Sequence, residues 1–424
     1  MGNNDSKQVK VFRRIPASEV RSLVTRLGLK SEADFVSEEK LENKLSWKEL
    51  NNPLPTQIWA LVSKGHQSAP LSSFLDLIDA MVFQDHSSAA QYMSQFLPET
   101  PLESAIKTYA NNINFIFQMH KSSASETWQS QGVSMGGNTV DKLVSNQFIE
   151  SLNAISGADN VERIGKWLEK QTLFFLMQKI AFCHLFHVSV PEDTIPQLTS
   201  SFNSKSVPTV LDLCDILFIN HSLPHDLRSE WALLFSTHIH GQSFTSMLAK
   251  LTNKGPTLII VEDSQQHVFG GFASESWRIG PKFIGDTKCF LFKLRPFFAV
   301  YTSTGYNDHH MYLNIQQQTM PNGLGMGGQL QNFGLWIDAD FGKGHSSPGC
   351  STYHHMPSLS SDKDFSIEHV EVWAVGPPPK EDSDDETDGK RSILDKDSGA
   401  KAILEMVDRG HHSEGLREIP DEEY

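Results

Sequence analysis

Between residues 230 and 376, short aromatic and β-branched runs alternate with Gly- and Asn-rich turns, and this alternation constrains the fold more than any other feature of the chain. In LWIDADF, Leu335, Ile337, Ala339 and Phe341 share one face while Asp338 and Asp340 take the other, the period of two that a half-buried strand requires. In VEVWAVG, Val370, Val372 and Ala374 oppose Glu371 and Trp373. Many short strands with turn signals between them predict two packed antiparallel sheets. Two helical stripes accompany them. Phe244, Met247, Leu248 and Leu251 follow a capping Ser243 and stop before Gly255-Pro256. Val210, Leu213, Cys214 and Leu217 predict a second helix packed on the sheet.

The remainder reads differently. With 424 residues the chain is long enough for two or three domains with their own cores. Residues 17–199 lean helical, and the most apolar stretch, Thr172 to Phe186, is interrupted by Gln178, Lys179 and His184. It falls short of the roughly 20 apolar residues of a membrane span and reads as a buried helix. Residues 121–139 are Ser- and Gly-rich and read as a loop. Residues 200–206 read as a linker and the β-rich domain as 207–376. Residues 377–397 form a Pro-rich and then acidic linker, with six acidic residues between Glu381 and Asp388. A last helix, in segment 398–424, carries one apolar stripe of Ala400, Ile403, Leu404 and Val407. So short a helix is marginal alone in water and needs a groove on its own domain or on a partner.

The first sixteen residues form a separate signal. MGNNDS fits the N-myristoylation pattern, with Gly2 as acceptor and Ser6 at the required spacing. Lys7, Lys10, Arg13 and Arg14 follow with no acidic residue among them. One acyl chain holds a membrane marginally, and a basic cluster facing anionic lipid supplies the second contact.

Motifs for chemistry are weak. A net charge of −15 argues against nucleic acid as the main partner. Four well-separated cysteines exclude a disulfide framework and a Cys-rich zinc site. Gly323, Gly325 and Gly328 complete a literal GxGxxG, but a Pro-Asn turn precedes it and a strand pattern follows, so it reads as a Gly-rich loop and not a dinucleotide site. His238 and His240 would share a face on a strand; without HExxH or similar spacing they read as exposed residues. Ser274, Glu262 and His267 are the residue types of a triad, which only geometry could make one. Cys289, in the strand pattern CFLFKL, reads as buried. No D-x-[DN]-x-[DN]-G calcium loop occurs.

The GGFAS stretch at 270–274, TGYND at 304–308, GLGMGG at 323–328 and the closing EVWAVG at 371–376 together resemble the TLDc domain. The resemblance implies a β-sandwich flanked by helices, preceded by an EF-hand-like helical region: an α+β chain. The order of segments and the HSEGLREIPDEE tail are similar to the branch of the family associated with mTOR signalling at lysosomes. The implied function is a non-enzymatic adaptor without a cofactor. It would sit on the cytoplasmic face of the lysosomal membrane, with a cytosolic pool, and bind the vacuolar proton pump (V-ATPase) and mTOR signalling components. The expected partner-binding residues are Tyr306, Asn307 and Asp308 in one turn, the glycines 323, 325 and 328, and Ile403, Leu404 and Val407 in the last helix. The alternative is a cytosolic oxidative-stress protection protein with an unidentified enzymatic activity.

Overall fold

The structure is a computed structural model that describes residues 13–97, 101–137, 151–157, 159–199, 209–330 and 332–378. The chain divides into two compact units. The first comprises Met1–Gln129, Ser134–Thr194 and Asp212–Phe218; the second comprises Ser130–Val133, Ile195–Leu211 and Ile219–Tyr424. The chain is α+β, as the sequence predicts: helices first, then a large antiparallel sheet.

In the helical unit, helix Ala17–Arg26, strand β1 (Phe35–Ser37) and helix Glu38–Lys44 are followed by helix Leu54–Ser63, strand β2 (Ser68–Pro70) and helix Leu71–Ile78. β1 and β2 pair antiparallel, the EF-hand-like arrangement without a calcium-loop sequence. The apolar stretch forms the buried helix Thr172–Phe186, and no described helix is long and apolar enough to cross a membrane. Residues 121–139 are not all loop: Ser123–Ser130 is helical. Ser122 and Ser125 start it by exchanging hydrogen bonds, the hydroxyl of Ser122 accepting from the Ser125 amide.

In the second unit, β3 (Gln197–Leu198) lies parallel to β4 (Glu230–Ser236). The other strands are β5 (Thr257–Asp263), β6 (Val268–Ala273), β7 (Gly280–Ile284), β8 (Phe290–Arg295), β9 (Ala299–Thr302), β10 (Met311–Asn314), β11 (Gly323–Gln329), β12 (Asn332–Asp338), β13 (Lys343–His345) and β14 (Asp364–Val375). They run in the order β7-β10-β11-β12-β13-β14-β5-β6-β8-β9. Twelve residues long, β14 pairs with β13 near its start and with β5 and β4 further on. It thereby joins two leaves that close on one core. Ile259, Val261, Phe269 and Leu291 come from one leaf, and Leu313, Leu324, Met326, Leu335 and Ile337 from the other. The alternation read in the sequence holds: Leu335 and Ile337 face this core and Trp336 the opposite side, while Val370 and Val372 oppose Glu371 and Trp373. Ser243 caps helix Phe244–Leu251 by accepting from the Ser246 amide.

Three further expectations are corrected. Val210 lies outside helix Leu213–Ser222, and only the second half of that helix, from Ile219, groups with the sheet, where Asn220 accepts from Trp231 of β4, while residues 212–218 cluster with the helical unit. His238 and His240 belong to the short helix Thr237–His240 and not to a strand. GLGMGG is a strand, β11, and buried, not an exposed loop. A Cβ on Gly323 would lie 2.5 Å from the Trp336 ring and one on Gly325 would lie 2.5 Å from the Phe333 ring. The glycines are there because those rings lie flat across the β11 backbone, as aromatic side chains do over strand glycines. Gly327 and Gly328 take φ of +71° and +83°, a region glycine enters without steric cost.

Candidate functional site

The rings on β11 belong to an aromatic row on the outer face of this leaf. Phe283 stacks on His309 at 4.3 Å and meets Tyr312 at 5.4 Å. Tyr312 meets Phe333 at 5.4 Å, and Phe333 stacks on Trp336 at 4.5 Å. Aromatic contacts of this kind add about 0.5–1.5 kcal/mol each beyond area burial. At one end of the row His309 donates from Nδ1 to the Gly328 carbonyl over 2.6 Å. The row therefore anchors the turn that contains Tyr306.

That turn is braced from several directions. Asn307 donates from Nδ2 to Ser351 Oγ at 2.9 Å. Its Oδ1 accepts from the Thr352 hydroxyl at 2.9 Å and from the His309 amide at 3.1 Å. The buried Thr352 hydroxyl accepts in turn from the Gly328 amide at 2.9 Å. Thr304 donates from its hydroxyl to the Ser351 carbonyl at 2.7 Å and accepts from the Tyr306 amide at 3.1 Å. The turn, the 351–353 segment and the end of β11 form one hydrogen-bonded block. Tyr306 projects from it with 84% of its surface exposed, the most exposed of the large hydrophobic side chains described. Asp308 is exposed beside it.

The expected site residues fall into three sets. Tyr306 and Asp308 are exposed and Asn307 is the brace that holds them. Gly323, Gly325 and Gly328 are buried and support the site from beneath, Gly328 directly through His309 and Thr352. Gly2, Lys7, Lys10, Ile403, Leu404 and Val407 lie outside the described residues. Arg13 is corrected: its guanidinium pairs with Asp76 and Glu32 and donates to the Ser72 carbonyl, with 19% of the side chain exposed. It is tied into the helical unit, and Arg14 alone among the described basic residues of the cluster is exposed. Thr352 and Ser351 were missed in the sequence because a single buried hydroxyl in a Gly/Ser segment carries no periodic signal.

The triad candidates do not meet. Ser274 Oγ lies 3.1 Å from Cys289 Sγ at one end of the β5–β6 hairpin. His267 and Glu262 lie at the other end: His267 approaches Asp263, and Glu262 is 3.9 Å from His369. The six residues of β6 separate His267 from Ser274, roughly 23 Å at about 3.3 Å per residue. Burial raises the Cys289 thiol above its ordinary range, opposed by Ser274. Among the described residues no group of three or more His, Cys, Asp or Glu side chains is placed to hold a metal. A groove of about 350 Å³ between Trp336, Asp338, Lys343, His345 and Asp364 opens on the same outer face. Elsewhere in the unit, buried Glu371 accepts from Thr209 Oγ1 (2.8 Å), Val210 N (2.8 Å) and Trp373 Nε1 (3.0 Å). Desolvation outweighs these donors and pushes its carboxyl up to about 7.

Comparison with known proteins places this unit. The sequence model of the TLDc domain matches residues 204–376. The chain is a TLDc-domain protein. It is 50% identical over 236 residues to the human protein named MTOR-associated protein MEAK7, covering 55% of this chain and 50% of that one. The Xenopus laevis protein of the same name is 41% identical over 307 residues, 70% of this chain and 66% of that one. The oxidation resistance protein 1 of Bos taurus is 32% identical over 162 residues, 38% of this chain and 17% of its own length. The chain thus spans about half to two thirds of the MEAK7 relatives it matches. Much of the TLDc domain is committed to the sandwich core and the aromatic row, and Tyr306, on its braced turn, is the most exposed of the described large hydrophobic side chains.

Proposed function

We propose that this TLDc-domain protein is a non-enzymatic adaptor that docks on the V-ATPase through the Tyr306 turn and supports mTOR signalling at the lysosomal membrane. The observation that carries the reading is an aromatic side chain, 84% exposed, on a turn that is hydrogen-bonded to Ser351, Thr352 and Gly328. An exposed aromatic is costly to leave in water, and a rigid one loses little entropy on binding; tyrosine is accordingly enriched among interface residues that dominate affinity. Mechanically, Asn307 and Thr304 fix the backbone, His309 ties it to the aromatic row, and Tyr306 fills a pocket on the partner. The names of the MEAK7 relatives support mTOR-related partners. Acylation at Gly2 and the charges of Lys7, Lys10 and Arg14 are the proposed membrane contact, and the apolar stripe of Ile403, Leu404 and Val407 a proposed second contact with the partner.

The relatives named oxidation resistance protein 1 favour a second reading, stress protection in the cytosol. Affinity capture of the full chain from solubilised lysosomal membranes separates the two. Docking predicts co-purified V-ATPase subunits with the parent and their loss with Tyr306→Ala. Absence of those subunits from the parent capture would overturn it.

A further inference from the structure

The most exposed large hydrophobic side chain described in the helical unit is Phe35, at 64%. It opens β1, where Val36 turns into the core and Phe35 and Ser37 turn out. Alternation requires an outward side chain at this position, but not an apolar one. Phe35 pairs with Pro70 at one end of the β1–β2 ladder. Immediately beyond, the Leu71 amide donates to the Asp34 carbonyl and the Ser72 amide to the Glu32 carbonyl, 2.9 Å each. These same two loops hold the N-terminal segment. The Arg13 guanidinium pairs with Glu32 and Asp76 and donates to the Ser72 carbonyl. The amides of Arg14 and Ile15 both donate, at 2.7 Å, to Oδ1 of the buried Asp79. Residues 13–15 are thus strapped to the end of the unit from which Phe35 projects, and the Arg14 side chain is left exposed. Lys10 precedes Arg13 by three residues and Gly2 precedes it by eleven, at most about 11 Å and about 40 Å of chain. An acyl chain at Gly2 and headgroup contacts at Lys7 and Lys10 therefore hold this end of the unit within reach of the bilayer.

We propose that Phe35 is a further membrane contact, an aromatic side chain that enters the interfacial layer of an anionic bilayer while Lys7, Lys10 and Arg14 stay at the headgroups. The proposal rests on the acylation of Gly2 proposed above and adds to it that the helical unit itself touches lipid. One myristoyl chain holds a membrane only marginally, and phenylalanine is among the side chains that peripheral proteins bury at the boundary of headgroups and acyl chains. The acids nearest Phe35 in the loop are already engaged: Glu32 by Arg13, and Asp34 by the amides of Lys30 and Ser31 and the Ser31 hydroxyl. The contribution of Phe35 is apolar, so it persists at salt concentrations that screen the basic residues.

The test uses the full chain myristoylated at Gly2 and vesicles of phosphatidylcholine and phosphatidylserine, with binding read by co-sedimentation at low and at high salt. Phe35→Ala is expected to bind about tenfold more weakly at both, the lower end of what burying a phenylalanine contributes, and to melt like the parent because the side chain it removes is exposed. Phe35→Trp is expected to bind like the parent, and brominated lipids are expected to quench its added indole beyond the quenching of the parent's own tryptophans. Parent-like vesicle binding by Phe35→Ala, or no added quenching with Phe35→Trp, overturns the inference and leaves the acyl anchor standing. A Phe35→Ala chain that binds vesicles like the parent but loses solubilised V-ATPase assigns Phe35 to a protein partner and overturns it likewise. If Gly2→Ala binds vesicles as tightly as the acylated parent, the acylation reading fails, and the tether that places Phe35 at the bilayer fails with it.

Discussion

Asn307→Ala should loosen the docking turn without unfolding the sandwich. The substitution removes three hydrogen bonds at once: Nδ2 to Ser351, and the two that Oδ1 accepts from Thr352 and the His309 amide. Ser351 is exposed and water replaces its partner at little cost. The Thr352 hydroxyl is fully buried and the His309 amide partly so. A buried donor left without an acceptor costs about 1–3 kcal/mol, and an ordinary net hydrogen bond about 1. The sum for the block is roughly 2–4 kcal/mol, about a 30- to 700-fold change in its opening equilibrium at about 1.4 kcal/mol per factor of ten. Native-state hydrogen exchange reads that quantity directly, because local opening free energies differ from segment to segment. The amides of Gly328, Tyr306 and His309 are expected to exchange about 30- to 700-fold faster in the variant, while those of β5 and β14 in the core keep the parent rates. Unchanged protection at Gly328 and His309 would refute the brace. Acceleration across the whole sheet would show that Asn307 supports the fold and not the turn in particular.

Gly325→Val should destabilise the TLDc unit by about 3 kcal/mol or more, since the first added carbon already meets the Phe333 ring at 2.5 Å in a leaf with no room to yield; a variant melting like the parent would contradict the flat-ring account of β11. Glu371→Gln should flatten the pH dependence of TLDc unfolding between pH 5 and 7. The native carboxyl keeps its proton up to about 7 while the unfolded one loses it near 4.5, so the native state binds more protons in that window and the parent loses stability as pH rises, by up to about 3 kcal/mol at 1.36 kcal/mol per unit; a parent profile that is flat or rises there would overturn the sign. Arg13→Gln should lower the melting temperature of the helical unit, at a cost of about 1 kcal/mol because its carboxylate partners are partly exposed, and should leave membrane fractionation as in the parent; release of the variant into the soluble fraction would restore Arg13 to the lipid-facing cluster.

The strands of the sandwich were legible because a strand with one face in a core must alternate, and Leu335, Ile337, Val370 and Val372 do so without interruption. The helix Phe244–Leu251 was legible for the same reason at a period near 3.6, with a serine cap to mark its start. GLGMGG was misread because the information is not local. Glycine composition signals a loop, and only the Phe333 and Trp336 rings of the neighbouring strand show why a strand can lack side chains. Arg13 was misread for a similar cause: its partners, Asp76 and Glu32, are 63 and 19 residues away, and a basic run in the sequence looks the same whether or not its charges are paired. At the site, TGYND was recognisable by resemblance, but its rigidity depends on Thr352 and Gly328, which lie far from it in the sequence.

The central claim is that Tyr306 is the anchor of a docking surface, and the affinity of the purified full chain for solubilised V-ATPase, measured for the parent and for Tyr306→Ala, tests it most directly. A central aromatic anchor is worth about 2 kcal/mol or more, so the variant is expected to bind at least about 30-fold more weakly with an unchanged melting temperature. Equal affinity of parent and variant would contradict the claim.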